Sequence, residues 1–299
     1  MSVVTPLRTA VDALSRNPVL FLGGLVYAAL LLPQRALQLA GVPFAPLLLQ
    51  MVTFVVTPFV VAGVVGMARD ALDGDTSFDA LAATGRARYL DLLLATLLEF
   101  GIQVAFGVVF VVLALVLTVI SGAGGAAALV GGAVILLLVG IYIAVLFAIQ
   151  FYPVIVVVDD ADAVESVTQS VSFVRSNVFD TLGYTLVTLA LGFLASLPML
   201  GAAAYRVLMN GPSGGSTPGP IGGGMSGGMG GGSGAGMSPG DILATPSGGL
   251  GLSTPEIAAL ALVSAVATTL FFAFRYTYAT AFYRRNARSV EERVLGDDA

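Results

Sequence analysis

Six long apolar stretches, separated by short polar segments, dominate the chain. They cover residues 19–39, 47–68, 92–120, 126–158, 182–208 and 257–282. A helix needs about 20 consecutive, mostly apolar residues to cross the hydrocarbon core of a membrane, and every stretch reaches that length. The pattern therefore predicts an all-α, polytopic membrane protein with about six transmembrane helices.

The first stretch is the weakest of the six, because Pro33, Gln34 and Arg35 interrupt it. Its uninterrupted apolar run is nearer the length found in secretory signal peptides. However, an amphipathic segment precedes it and no small-residue cleavage site follows it. We therefore interpret it as a helix that is retained in the protein.

Polar segments in front of the predicted hairpins carry apolar residues at helical spacing. In two of them the spacing is i, i+3, i+7 and i+10, which places four apolar side chains on one helical face. These residues are Val4, Leu7, Val11 and Leu14, and later Val164, Val167, Val171 and Val174; a looser version has Phe78, Leu81 and Tyr89. We interpret the three segments as interfacial helices, each followed by a two-span hairpin. Coincidental amphipathicity is the alternative.

A glycine-rich segment interrupts the predicted membrane domain. We assign residues 1–209 to that domain, 210–254 to a disordered extracytoplasmic loop, 255–285 to the last transmembrane helix and 286–299 to a cytoplasmic tail. A chain so rich in Gly, Ser and Pro buries too little apolar surface to offset its ordering entropy. The alternative is a copper site formed by the thioethers of Met209, Met225, Met229 and Met237, which the absence of His and Cys disfavours.

Composition supports a lipid environment. The 299 residues are 57% hydrophobic and only 10% charged, with a mean hydropathy of +0.95. Soluble domains are about 25% charged, because their surface must be polar. A chain of this length with so few charges therefore belongs in a membrane.

The charged residues narrow the possible functions. All 13 basic residues are arginine, the net charge is −5, and the chain contains neither histidine nor cysteine. This composition argues against nucleic-acid binding, which needs a basic patch, and removes the commonest general base and the commonest metal ligands. An acidic, lysine-free chain is also typical of a salt-adapted organism such as a haloarchaeon.

The distribution of arginine predicts the orientation, because cytoplasmic segments are enriched in basic residues. With the N-terminus inside, ten arginines fall on the inside, two on the outside (Arg35 and Arg206) and one, Arg275, within the last span. We therefore expect a cell-membrane protein with both termini in the cytoplasm.

Four polar residues fall near the middle of predicted spans: Glu99, Gln103, Gln150 and Arg275. At 1.5 Å per helical residue, Glu99, Gln150 and Arg275 each lie about 12–13 Å from the inner ends of their spans. An isolated charge in lipid is costly, so we expect Glu99 and Arg275 to pair, joined by Gln103 or Gln150. The functional alternative is a substrate or proton site.

Acidic residues precede two of the predicted interfacial helices. Asp159, Asp160 and Asp162 stand before the last one, where carboxylates complement the positive end of the helix dipole. We interpret them as helix-starting residues. A divalent-metal site is the alternative, but the spacing of a calcium-binding EF-hand loop is absent.

One stretch resembles a known type of membrane protein. Residues 154–177 read VIVVVDDADAVESVTQSVSFVRSN, an apolar run, an acidic pair, and then a helix ending in Arg and Asn before the next span. This is similar to uncharacterised haloarchaeal six-helix membrane families related to the membrane domain that precedes some glycerophosphodiester phosphodiesterases. The resemblance implies a membrane-domain fold. It transfers no catalytic residue, because those enzymes use a separate soluble domain with histidine and acidic metal ligands.

These observations favour a non-enzymatic membrane protein, a scaffold or a lipid-interacting component. We expect membrane lipid as a partner, no nucleic acid, no cofactor and no bound metal. The alternative is a small-solute transporter or channel that uses the polar layer of Glu99, Gln103, Gln150 and Arg275. An intramembrane enzyme is a third reading, but no nucleophile or phosphate-binding motif supports it.

Overall fold

The computed structural model describes residues 4–40, 44–120, 125–210 and 254–296. Throughout these ranges the regular structure is helical, and they contain no β-strand. In hydrocarbon every backbone N–H and C=O group must be bonded within the protein, which an α-helix achieves inside one segment. The all-α prediction is confirmed.

Short and long helices alternate along the chain. They are α1 Val4–Arg16, α2 Leu20–Leu39, α3 Ala45–Asp73, α4 Phe78–Ala87, α5 Tyr89–Ile120, α6 Gly125–Ile149, α7 Tyr152–Val158, α8 Ala163–Ser176, α9 Val178–Asn210 and α10 Thr254–Gly296. Six helical segments are long and apolar enough to cross a membrane. The prediction of six spans with interfacial helices between hairpins is therefore confirmed.

The fourth span differs from its predicted form. We predicted one helix over residues 126–158, but α6 ends at Ile149 and α7 begins at Tyr152. Pro153 lies in the first turn of α7, where its missing N–H breaks no helical hydrogen bond. The fourth span is therefore interrupted just before Pro153. Pro58, by contrast, lies within an uninterrupted α3.

The predicted glycine-rich loop, together with its methionines Met225, Met229 and Met237, lies outside the described residues, apart from its ends at Asn210 and Thr254. Beyond the predicted last span, the backbone of α10 stays helical as far as Gly296.

The centre of the bundle forms around α3. Every residue of α3 from 60 to 68 is buried, and this segment packs against α2, α4, α5, α7 and α10. A second cluster of aromatic rings joins α7, α8, α9 and α10, with Phe151, Phe173 and Phe282 at its centre. Together these clusters bring all three hairpins into contact.

The α5–α6 hairpin extends away from this core. In the most apolar part of each of these two spans only 6% of the residues are buried, against 50% in the span formed by α3. Shallow apolar grooves run along the pair, lined by residues such as Val112, Leu137 and Ile141. The two helices contact each other through rings such as Phe106 and Tyr142. Most of the hairpin surface is thus available to lipid.

The short helices lie at one end of the bundle, together with the connections 74–77 and 159–162; we call this end the short-helix face. Arg284 bonds to Asp73 at 2.8 Å, Arg88 pairs with Asp160, and the Tyr283 hydroxyl donates to Asp159. Further pairs and hydrogen bonds at this face include Arg88 with Asp91 and Asn17 with the backbone of Gly74 and Thr76. These contacts tie the end of α3, the start of α5 and the part of α10 around residue 284 to one another and to the two connections.

Two glycines allow helices to approach closely. A Cβ atom on Gly24 would clash with the backbone oxygen of Thr269, and one on Gly63 would lie 2.5 Å from that of Leu81. Small residues at helix contacts are how membrane bundles bring backbones close together. Gly140 has no such role in the described residues, because a Cβ there meets nothing within 4 Å.

The close approach at Gly24 predicts a stability difference. Replacing Gly24 with alanine forces α2 and α10 apart, so we expect a loss of about 1–3 kcal/mol in the free energy of unfolding. Gly132→Ala is the matched control, because its Cβ meets no atom within 4 Å. The control is expected to be neutral or up to about 1 kcal/mol more stable, since alanine favours helix. Denaturation in detergent micelles followed by circular dichroism measures both. Equal behaviour of the two variants would refute the packing argument.

Candidate functional site

Glu99 is the centre of a buried hydrogen-bond network in the first half of α5. Its carboxylate accepts a 2.8 Å bond from the Tyr152 hydroxyl and a 3.2 Å bond from Gln103. The Thr96 hydroxyl lies 3.3 Å from the Tyr152 hydroxyl. Only 3% of Glu99 is exposed. Donors from α5 and α7 thus compensate the burial of a carboxyl group.

Arg275 projects from α10 into an aromatic environment. Its side chain lies close enough to Tyr184 of α9 to interact with the Tyr184 hydroxyl, and its guanidinium carbon lies 5.6 Å from the centre of the Tyr276 ring. Glu99 and Tyr27 are close enough to interact with it electrostatically. A cation within about 6 Å of a ring centre is attracted to the ring face. Side chains from all three hairpins therefore surround this arginine.

Of the four residues predicted to form one polar layer, the structure joins Glu99 and Gln103 directly and places Arg275 within electrostatic range of Glu99. Gln150 has other hydrogen-bond partners: it donates to the backbone oxygen of Phe147 and accepts from Thr185 of α9. Gln150 follows the end of α6, and its side-chain amide hydrogen-bonds a backbone oxygen of the last turn of that helix. The direct pairing of Glu99 with Arg275 stays a prediction.

Tyrosines complete the cluster, and the sequence analysis did not single them out. Tyr152 is fully buried and bonds Glu99, whereas the buried hydroxyl of Tyr276 has no hydrogen-bond partner within the described residues. A buried hydroxyl without a partner is costly and favours a bound polar group nearby. The sequence did contain a signal for this cluster, namely tyrosine within an apolar span. The tyrosine hydroxyl reaches farther from the backbone than the hydroxyl of serine or threonine.

A second polar group lies near the opposite end of α2. Arg35 donates to the Thr268 hydroxyl of α10 at 2.7 Å, and Gln34 bonds to Gln50 of α3. In the sequence, Gln34 and Arg35 were noted only because they interrupt the first apolar stretch. In the structure they form polar contacts between α2 and its neighbours.

The interfacial helices α1 and α8 share one pattern of burial. The buried residues of α1 are Pro6, Ala10, Ala13 and Leu14, and the positions 160 residues later in α8 are buried too: Ser166, Ser170, Phe173 and Val174, with Ala163 in addition. Apart from Leu14 and Val174, the predicted valine and leucine faces are not buried: Val4 and Val11 are 50% exposed, Val164 66% and Val171 41%. Each helix therefore docks on the bundle through a face that combines small and apolar residues, while the exposed valines of each apolar stripe do not take part in this docking.

The acidic residues before α8 have protein partners. Asp160 pairs with Arg88, and Asp159 accepts from Tyr283. Asp160 has a φ of 57°, the left-handed region that aspartate tolerates in turns. No group of three His, Cys, Asp or Glu side chains is arranged for a metal ion in the described ranges. The carboxylates serve here to hold the connection between α7 and α8.

A family model described as a domain of unknown function, DUF7847, matches residues 1–286. No curated protein and no solved structure matches the chain.

The Glu99 network predicts a measurable contribution to stability. Tyr152→Phe removes the hydroxyl donor to Glu99, and we expect a loss of about 1–2 kcal/mol in the free energy of unfolding. Tyr142→Phe is the control, because in the described residues its hydroxyl makes no hydrogen bond while its ring also packs between helices. Denaturation in micelles compares the two, and a Tyr152→Phe variant as stable as the control would show that the network contributes nothing.

Proposed function

Since the chain belongs to DUF7847, a family with a domain of unknown function, we propose its role from its own residues. The protein is a non-enzymatic, multi-pass membrane component whose interfacial helices bind lipid and act as a scaffold at the membrane surface. The shared burial pattern of α1 and α8 carries this proposal. Each helix is fixed to the bundle by one face and offers exposed valines on another, as a lipid-binding interfacial helix must.

Location follows from the charges. We assign the protein to the cell membrane, with the short-helix face and both termini in the cytoplasm. Arg8, Arg16, Arg86, Arg88 and Arg175 all lie on or beside the short helices, and cytoplasmic segments are the ones enriched in arginine. A haloarchaeal origin and a relationship to the membrane domain of glycerophosphodiester phosphodiesterases stay predictions, and the latter agrees with a lipid-associated role.

A transporter or channel is the second candidate, and the intramembrane cluster favours it. Glu99, its donors Tyr152 and Gln103, and nearby Arg275 form a polar group where three hairpins meet. Ionisable residues at membrane depth often mark ion or proton pathways. The Tyr276 hydroxyl, which has no hydrogen-bond partner in the described part of the chain, adds a further hydrogen-bonding group next to Arg275.

The lipid-binding proposal predicts loss of co-purified lipid when the stripes become polar. We expect Val11→Ser combined with Val171→Ser to retain at most about half as many lipid molecules as the wild type, because each change removes exposed apolar surface. Native mass spectrometry of protein released from mild detergent counts the lipids. Val108→Ser combined with Val134→Ser is the control, since these valines are 57% and 43% exposed but lie on the α5–α6 hairpin.

If the interfacial double variant keeps as many lipids as the control, the interfacial helices are not the binding element. A wild-type protein that carries no lipid through purification would also refute the proposal. Unchanged denaturation of each variant establishes that folding is intact.

The transport candidate predicts proton flux through Glu99. In liposomes with an imposed pH gradient, wild-type protein would collapse the gradient faster than empty vesicles do, and Glu99→Gln would reduce the rate at least ten-fold. Asp79→Asn, an exposed carboxylate on α4, is the control. A trapped pH-sensitive dye measures the rate. Identical decay in protein-containing and empty vesicles would remove proton transport from consideration.

A further inference from the structure

Arginines on the short-helix face fall into two groups. Arg69, Arg88 and Arg284 each pair with a carboxylate. A second group is exposed and has no ion pair or hydrogen bond within the described residues; its members are Arg8, Arg16, Arg86, Arg175 and Arg285. The paired arginines connect helices to one another. The arginines of the second group are available to bind a group outside the protein.

Two members of the second group stand beside the exposed valines. On α1, Arg8 lies four residues after Val4 and three before Val11, and both valines are 50% exposed. Residues three and four apart are neighbours on a helix surface. The Arg8 guanidinium group therefore rises from the border of the apolar stripe.

On α8, Arg175 lies at a similar angle to the exposed valines, although it stands in the last turn of its helix. It lies four residues after Val171, which is 41% exposed, and four before Phe179, which is 89% exposed. Phe179 belongs to the start of α9, beyond the break at Asn177, and adds exposed apolar surface there. Two separate helices thus combine an exposed apolar surface with an unpaired cation.

Acidic residues of the same helices lie farther from the stripe. At about 100° per residue, Arg8 is rotated about 40° from Val4 and Arg175 about 20° from Val164. Asp12 and Glu165 are rotated by about 80° and 100° from those same valines. Around each helix the order is therefore valine, then arginine, then carboxylate.

This order matches the layers of a membrane surface. Valines reach the acyl chains, arginines extend their apolar stems along the surface and place the guanidinium at the level of the phosphates, and carboxylates face water. Guanidinium groups bind phosphate oxygens through paired N–H donors. Carboxylates placed at the phosphate level would repel an anionic headgroup, and here they are turned away from it.

We propose that α1 and α8 select anionic phospholipid headgroups, through Arg8 and Arg175 acting beside the valine stripes. This selectivity rests on the proposed lipid binding and adds the headgroup class to it. The middle helix α4 does not share the arrangement, because its Arg86 is rotated about 80° from the exposed Phe78, next to Asp79. Selectivity is therefore a property of the first and third interfacial helices.

Spin-labelled lipids test the proposal on the full chain. Protein is reconstituted in phosphatidylcholine bilayers at low salt with a trace of spin-labelled phosphatidylglycerol or spin-labelled phosphatidylcholine. The motionally restricted fraction of each label gives its relative association with the protein. We expect the wild type to favour phosphatidylglycerol, and high salt to weaken this preference.

Substitutions assign the preference to particular arginines. Arg8→Gln is expected to reduce the preference for phosphatidylglycerol about five-fold at the affected sites, the effect of one arginine near an anionic surface. Arg8→Gln combined with Arg175→Gln should abolish it. Arg16→Gln is the matched control, because it removes the same charge from the same helix at about 120° from Val4. It should keep most of the preference.

Each possible outcome of these measurements either supports or overturns the proposed headgroup selectivity. Equal association of the two labels with the wild type would overturn the proposal and favour an acidic protein segment as the partner of these arginines. An equal loss in Arg8→Gln and Arg16→Gln would also overturn it, because net charge alone would then explain the preference. Lipid retained by the wild type but lost from the valine variants would still support lipid binding itself, so the two proposals fail separately.

Discussion

The absence of water in the bilayer core is the constraint on which the rest of this structure depends. Every backbone polar group there must be bonded within the chain, so the spans are helices, and their contacts cannot rely on exclusion of water from apolar surface. Close packing and hydrogen bonds between helices take that role. The backbone of α2 touches that of α10 at Gly24, and α3 meets α4 at Gly63. A buried carboxylate, Glu99, draws donors from α5 and α7.

The same constraint explains how an interfacial helix can contact both lipid and water. A helix at the membrane surface must pack against protein on one face, contact acyl chains on a second and face water on a third. In α1 and α8 the protein-facing residues include small ones such as Ala10 and Ser170, which leaves the larger valines exposed. Binding of lipid is therefore compatible with a fixed position on the bundle. The proposed headgroup selectivity requires that fixed position, because it orients the arginines.

The intramembrane cluster and the short-helix face are built from different chemistry. Glu99, Arg275 and the tyrosines lie where three hairpins meet, shielded from water, and any conformational change between hairpins would alter their contacts. Ion pairs such as Arg284 with Asp73 lie at the exposed face, where a single pair contributes about 0–1 kcal/mol. Stability therefore comes mainly from the packing of α3 and the aromatic cluster, while the ion pairs fix the connections between helices.

The sequence by itself determined the helical class, the six spans and the interfacial helices, because the need for about 20 apolar residues is a local property. It also identified Glu99, Gln103 and Arg275 by their depth along a helix. Only the tertiary structure decided which partners these residues have: Tyr152 for Glu99, Tyr184 for Arg275, and Thr185 for Gln150. Depth along one helix does not fix rotation about its axis or the identity of its neighbours. The same limit applies to α1, where the repeated apolar spacing was visible, but which of these residues stay exposed was decided by how the helix docks on the bundle.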